Sequence, residues 1–195
     1  MAFYQEGFDL MSNIIQEFDQ RWFVAINGMA GQSAFLDEVM FQFSQEGNLV
    51  IPGMFLAIYW VWRNWGEAKI AIPCLLLLLG ASDLLGGQLK NLISRPRPCQ
   101  VLDQVHQLIG CGGSFSLPSN HALNSSTAVA FLMVLYPSLG WVLVPALFLI
   151  GLSRVYLGAH YVTDVLAGIV IGVVLGSSVA ILVKGKFWAY RSVND

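Results

Sequence analysis

Apolar runs at 48–65, 70–87, 122–137, 141–156 and 161–183 dictate most of what this chain can become. Each is read as long enough to cross roughly 30 Å of hydrocarbon. Inside a bilayer a helix satisfies its own backbone N–H and C=O groups within one segment. The expected architecture is therefore an all-α integral membrane bundle of about five transmembrane helices. Composition agrees: of 195 residues, 56% are hydrophobic and only 11% charged, where soluble domains carry roughly a quarter.

Residues 1–46 read differently. Glu6, Asp9, Glu17, Asp19, Arg21, Asp37 and Glu38 interrupt the apolar residues, while Leu10, Ile14, Ile15, Phe18, Trp22 and Phe23 recur at spacings of three and four. That stripe predicts N-terminal amphipathic helices lying on the membrane surface, the alternative being a first span of weak hydropathy. No basic region followed by an apolar core and a small-residue cleavage site opens the chain, so the spans themselves are expected to direct insertion. Without internal repeats, low-complexity tracts or a Gly/Ser/Pro-rich linker, one domain is expected over 1–195, with its transmembrane core at 47–184. A net charge of -2 argues against a nucleic-acid partner.

Cations set the orientation. Threading five spans puts Arg63 and Lys69 on the same side as Lys184, Lys186 and Arg191, and the positive-inside rule makes that side cytoplasmic. The segment 93–121 and the turn at 157–160 then share the opposite face. In a bacterium this is the periplasmic face of the inner membrane, and the chain crosses that membrane several times.

Three polar stretches stand at the ends of these runs. In the last, Ser153 and Arg154 precede His160, and Asp164 follows four residues later. At that spacing on a helix the carboxylate faces one ring nitrogen and leaves the other free to attack. Arg154 suits bidentate phosphate binding. In the middle stretch, Pro118, Ser119, Asn120 and His121 lead into an apolar run, so Ser119 stands as an N-cap and the helix start offers an anion unpaired N–H groups. His121 lies in the first turn as a candidate general acid. In the first stretch, Pro96 should end the helix carrying Lys90, after which Arg97 and Pro98 open a loop. Arg95 is expected to snorkel to lipid headgroups. Two imidazoles, a carboxylate, three cations and a hydroxyl make a phosphate-handling set that calls for no metal or other cofactor.

In this order the stretches resemble the signature motifs of the type 2 phosphatidic acid phosphatase and vanadium haloperoxidase superfamily. Every specified position but one matches: Asn120 stands where the family usually has glycine, which would narrow the pocket or add a phosphate contact. The resemblance implies a helical bundle in which His160 becomes phosphorylated and Asp164 orients it. Lys90, Arg97, Ser119, Asn120 and Arg154 would hold the phosphoryl oxygens, while His121 protonates the leaving group and then activates water. The expected function is that of a membrane lipid phosphatase acting on undecaprenyl diphosphate, phosphatidylglycerol phosphate, phosphatidic acid or the lipid A 1-phosphate. The alternatives are a vanadate-dependent haloperoxidase and a non-catalytic lipid-phosphate binding or transport protein.

Two further features carry expectations. Asp83 lies within a span, seven residues before Lys90, and is either functional or a helix-packing group beside Gly86 and Gly87. Cys99 and Cys111 fall in the loop assigned to the oxidising face and are expected to pair, whereas Cys74 sits in an apolar run as core.

Overall fold

The computed structural model describes the backbone of residues 2–45 and 47–194 and the side chains of 13–45, 47, 48 and 51–185. The side chains of Leu10, Lys186 and Arg191 therefore lie outside the described residues. The helices are α1 (Ala2–Asn27), α2 (Ala34–Ser44), α3 (Gly47–Arg63), α4 (Trp65–Ile93), α5 (Pro98–Val101), α6 (Asn120–Leu135), α7 (Gly140–Tyr156) and α8 (Val162–Asn194), with a 3-10 turn at Pro137–Leu139. Among the described residues there is no strand.

Each apolar run becomes a helix, and the breaks fall where local chemistry demands them. Helix α4 stops at Ser94, which adopts a left-handed conformation with φ 54°, because Pro96 disfavours continued helix in the residue before it. Helix α7 ends at Tyr156, and the turn after it passes through Gly158, where φ is +83° and a Cβ would lie 2.9 Å from Val105 Cγ1; glycine alone suits both demands. Among the described residues, three segments are long and apolar enough to cross a membrane: Trp65–Val101, Pro137–Tyr156 and Val162–Gly185. Helices α3 and α6 have 17 and 16 residues, which at 1.5 Å per residue fall short of a full hydrocarbon thickness.

Helices α6 and α8 form the centre of the bundle. Gly168, Gly172 and Gly176 repeat every fourth residue along α8, and a Cβ on Gly172 would lie 2.0 Å from Ser126 Oγ and 2.4 Å from the Leu123 carbonyl oxygen. Small residues in such a stripe let two backbones approach within a membrane, where there is little hydrophobic drive between helices. The close approach has a second consequence: the Ser119 N–H donates to the Asp164 carbonyl oxygen at 3.0 Å, locking together the helix starts that carry two of the three motifs.

The N-terminal helices lie against this bundle. On α1, Ile14, Ile15, Phe18 and Trp22 are exposed, while Asp19, Phe23 and Asn27, spaced four apart, are buried. The apolar stripe thus splits into an outer, exposed side and an inner packing side. Asn27 fixes the long loop by donating to the His106 and Tyr156 carbonyl oxygens at 2.9 and 2.8 Å. At the far end of the bundle Lys184 donates to the Val134 carbonyl oxygen, and Trp60 donates to the Tyr136 hydroxyl. Arg63 at the end of α3 and Lys69 near the start of α4 lie with Lys184 at the end opposite the motifs.

Candidate active site

Five elements meet at the motif end. Lys90 comes from the last turn of α4, Arg97 from the N-cap of α5, Ser119 and His121 from the start of α6, Arg154 from the last turn of α7, and His160 with Asp164 from the entry to α8. Lys90, Arg97 and Arg154 are buried. Burying cations this deeply in an apolar chain is costly unless each finds partners, and the structure supplies them. Lys90 donates to the Phe115 carbonyl oxygen at 2.9 Å. Arg97 donates to the Ser114 carbonyl oxygen at 2.7 Å, to Ser114 Oγ at 3.0 Å and to the Ala159 carbonyl oxygen at 3.1 Å. Arg154 donates to Ser44 Oγ at the end of α2.

His160 is 2% exposed. Its Nδ1 lies 3.7 Å from Asp164 Oδ2 and 3.5 Å from Ser116 Oγ, so the carboxylate occupies one edge of the ring and Nε2 is left for a substrate. Helix α8 begins only at Val162, which corrects the expectation that His160 and Asp164 share a helical face. The pair forms across the helix start, because Asp164 Oδ2 accepts the Tyr161 backbone N–H at 2.8 Å and pulls the preceding turn inward. The Arg154 carbonyl oxygen accepts the backbone N–H of both Ala159 and His160, tying the nucleophile candidate to its neighbouring cation. Burial pushes the His160 ring down to about 4, against the pull of Asp164, with Arg97, Lys90 and Arg154 adding to the depression. At neutral pH the ring is uncharged and keeps its lone pair.

On the other side of the pocket Ser119 is the N-cap of α6, yet its hydroxyl caps nothing. The buried Oγ has no partner among the described residues, an arrangement that suits an arriving oxyanion. His121 donates to the Ser44 backbone carbonyl, and it senses Arg154, His160 and Lys90 as nearby charges. The motif residues thus converge, apart from the side chain of Asn120. That amide turns away to donate to Asp83 Oδ1 at 2.9 Å, with Asn124 donating to the same oxygen at 3.2 Å. A Cβ on Gly86 would come within 2.5 Å of Asn120 Oδ1. Through these amides Asp83 ties α4 to α6.

Sequence reasoning missed three contributors. Ser116 donates to Asp164 Oδ2 from a loop position with no motif to mark it. Ser44 reaches the site from the end of α2. Arg95 corrects the snorkelling expectation: it donates to Asp164 Oδ1 at 2.7 Å, Thr163 Oγ1 at 2.8 Å and Asp19 Oδ2 at 2.6 Å. Two buried carboxylates outbid the headgroups because an unpaired buried charge is far costlier than an exposed cation. Only the doubled Arg-Pro of residues 95–98 hinted at it. The long loop is closed by a disulfide between Cys99 and Cys111, and Cys74 is free.

The profile of the PAP2 superfamily matches residues 71–188. The chain belongs to that superfamily. It is 30% identical over 158 residues to the undecaprenyl-diphosphatase BcrC of Bacillus subtilis, covering 79% of this chain and 78% of the relative. It is also 27% identical over 170 residues to the lipid A 4'-phosphatase of Porphyromonas gingivalis, covering 83% and 71%. Among solved structures, a transmembrane PAP2-type phosphatidylglycerolphosphate phosphatase from Bacillus subtilis superposes with a TM-score of 0.69 at 28% identity, covering 91% of this chain and 88% of the other. The chain is a PAP2-type membrane phosphatase.

Proposed function

We propose that this PAP2 phosphatase removes the terminal phosphate from a lipid diphosphate or monophosphate through a phosphohistidine on His160. The observation that carries this reading is the buried His160, with Asp164 along one edge of its ring and Lys90, Arg97 and Arg154 as neighbouring charges. Those cations and the Ser119 hydroxyl grip the phosphoryl oxygens. His160 Nε2 then attacks phosphorus, the bond to the leaving oxygen breaks, and His121 gives its proton to that oxygen. The negative charge of the bound phosphate favours the protonated form of His121 that this step needs. Water next attacks the phosphohistidine while His121 takes the water's proton, and phosphate and free His160 are released. Three fixed cations already neutralise the phosphoryl oxygens, so the rate is expected to be unchanged in EDTA.

The substrate reading is a broad one, with undecaprenyl diphosphate and phosphatidylglycerol phosphate foremost. Relatives named for undecaprenyl diphosphate, phosphatidylglycerol phosphate and lipid A support it. So does the small size of the extramembrane segment between α5 and α6, which offers little surface for reading a large headgroup. Helices long and apolar enough to cross a membrane argue against a soluble haloperoxidase. We place the protein in a bacterial inner membrane with the site toward the periplasm, because Arg63, Lys69 and Lys184 gather at the opposite end. Phosphate release from purified protein in detergent, offered undecaprenyl diphosphate, phosphatidylglycerol phosphate, phosphatidic acid and lipid A, tests the reading. Turnover of the first two is expected; no release from any lipid would overturn it.

A further inference from the structure

A second polar cluster adjoins the site without entering it. Resting on the assignment of His160 as nucleophile, we propose that Arg95 and Asp19 are positioning residues that hold Asp164, and through it His160, in the attacking orientation.

Asp164 is wholly buried and held through both oxygens. Oδ2 accepts from the Ser116 hydroxyl and the Tyr161 N–H, while Oδ1 accepts from Arg95 Nη1 at 2.7 Å. A carboxylate pinned on one oxygen can swing; one pinned on both presents a fixed edge to the imidazole. Arg95 is itself immobilised. Its Nη2 meets Asp19 Oδ2 at 2.6 Å, and the guanidinium carbon lies 4.3 Å from the centroid of the Tyr161 ring, within cation–π range. Asp19, also wholly buried, accepts the Thr163 backbone N–H at 2.9 Å and the Thr163 hydroxyl. It thereby grips the residue next to Asp164. A planar fork suits this bridge between two carboxylates, which an ammonium point charge does not reproduce.

The chemistry gives the network a purpose. As Nε2 bonds to phosphorus, the ring becomes cationic and its Nδ1–H leans on Asp164, which must be ionised and in place at that moment. The Arg95 charge keeps it so. Asp19 lies on α1, ahead of the segment matched by the superfamily profile, so the N-terminal helix contributes to the catalytic geometry as well as to membrane contact.

Arg95→Gln tests this in the full-length enzyme. The expected result is a 10–100-fold fall in kcat, the usual range for a group that orients a ligating or reacting one. KM and competitive inhibition by inorganic phosphate should stay within about threefold, since the anion-holding cations are untouched. In an Asp164→Asn background the same substitution should cost less than about twofold, because its target is gone. Asp19→Asn should follow the same pattern with a smaller loss, and it serves if Arg95→Gln does not fold. Independently of turnover, nuclear magnetic resonance of histidine-labelled protein reads the proton taken up by the His160–Asp164 pair, which Lys90, Arg97 and Arg154 also face. Losing the Arg95 cation should raise that midpoint by about one pH unit. An unchanged midpoint, or an equal loss of kcat with and without the Asp164 carboxylate, would overturn the proposal. A wild-type enzyme that releases no phosphate would instead sink the functional reading and leave the titration to decide this one.

Discussion

At the residue scale the proposed mechanism divides the work between two imidazoles. His160→Ala removes the proposed nucleophile and is expected to lower turnover by on the order of 10⁴-fold or more. His121→Ala removes only proton transfer, worth about 10²–10⁴-fold, and should still accept phosphate from substrates with good leaving groups. Rapid-mixing assays with an aryl phosphate separate the two. The depression of His160 to about 4 has a definite sign. The ring protonates only as pH falls through about 4, so the acid limb of kcat/KM, corrected for substrate ionisation, should lie well below the 6.5 of free imidazole. A limb at 6.5 would mean a solvated ring. That His160, Asp164, Arg154, Lys90 and Arg97 come together was legible in the sequence, because their chemistry is unusual at membrane boundaries and the spacings within each motif are local. Arg95 was misread because its partners, Asp19 and Asp164, lie 76 and 69 residues away in the chain, and no local pattern announces such a contact.

At the element scale, helix contacts and one disulfide staple hold the motif segments in place. Gly172→Ala places a Cβ 2.0 Å from Ser126 Oγ and 2.4 Å from a backbone carbonyl, so α6 and α8 must part. The expected cost is about 3 kcal/mol, the upper end for overpacking, read as a lower unfolding temperature in detergent; unchanged stability would contradict the close approach. The parting would also separate Ser119 from Asp164 and reduce activity. Replacing Cys99 and Cys111 together by serine opens a loop of sequence separation 12 and should destabilise the protein by up to about 3 kcal/mol. Because the loop runs from Arg97 to Ser119, kcat should fall along with stability. Helix identity and loop position could be read from apolar runs and prolines. The depth of α6 against α8 could not, since it depends on which face of each helix carries the small residues.

For the whole molecule, one end gathers the motif residues together with Arg95, and the other Arg63, Lys69 and Lys184. The proposed orientation predicts that a cysteine introduced at Gln104 reacts with an impermeant maleimide in intact spheroplasts, while one at Ser192 reacts only after lysis. The reverse pattern would refute it. The all-α membrane architecture was legible because hydropathy and span length report directly on the bilayer. The link from α1 through Arg95 to the Asp164 carboxylate was not, because Asp19 looked like one more polar break in a surface helix. The proposed mechanism requires a covalent intermediate at His160, and one experiment addresses it directly. Enzyme quenched during turnover of a lipid labelled with radioactive phosphorus in its terminal phosphate should carry an acid-labile, base-stable phosphoryl group. That label should map to the peptide containing His160 and be absent from His160→Ala. Turnover without any protein-bound phosphorus, or a label on another residue, would contradict the mechanism.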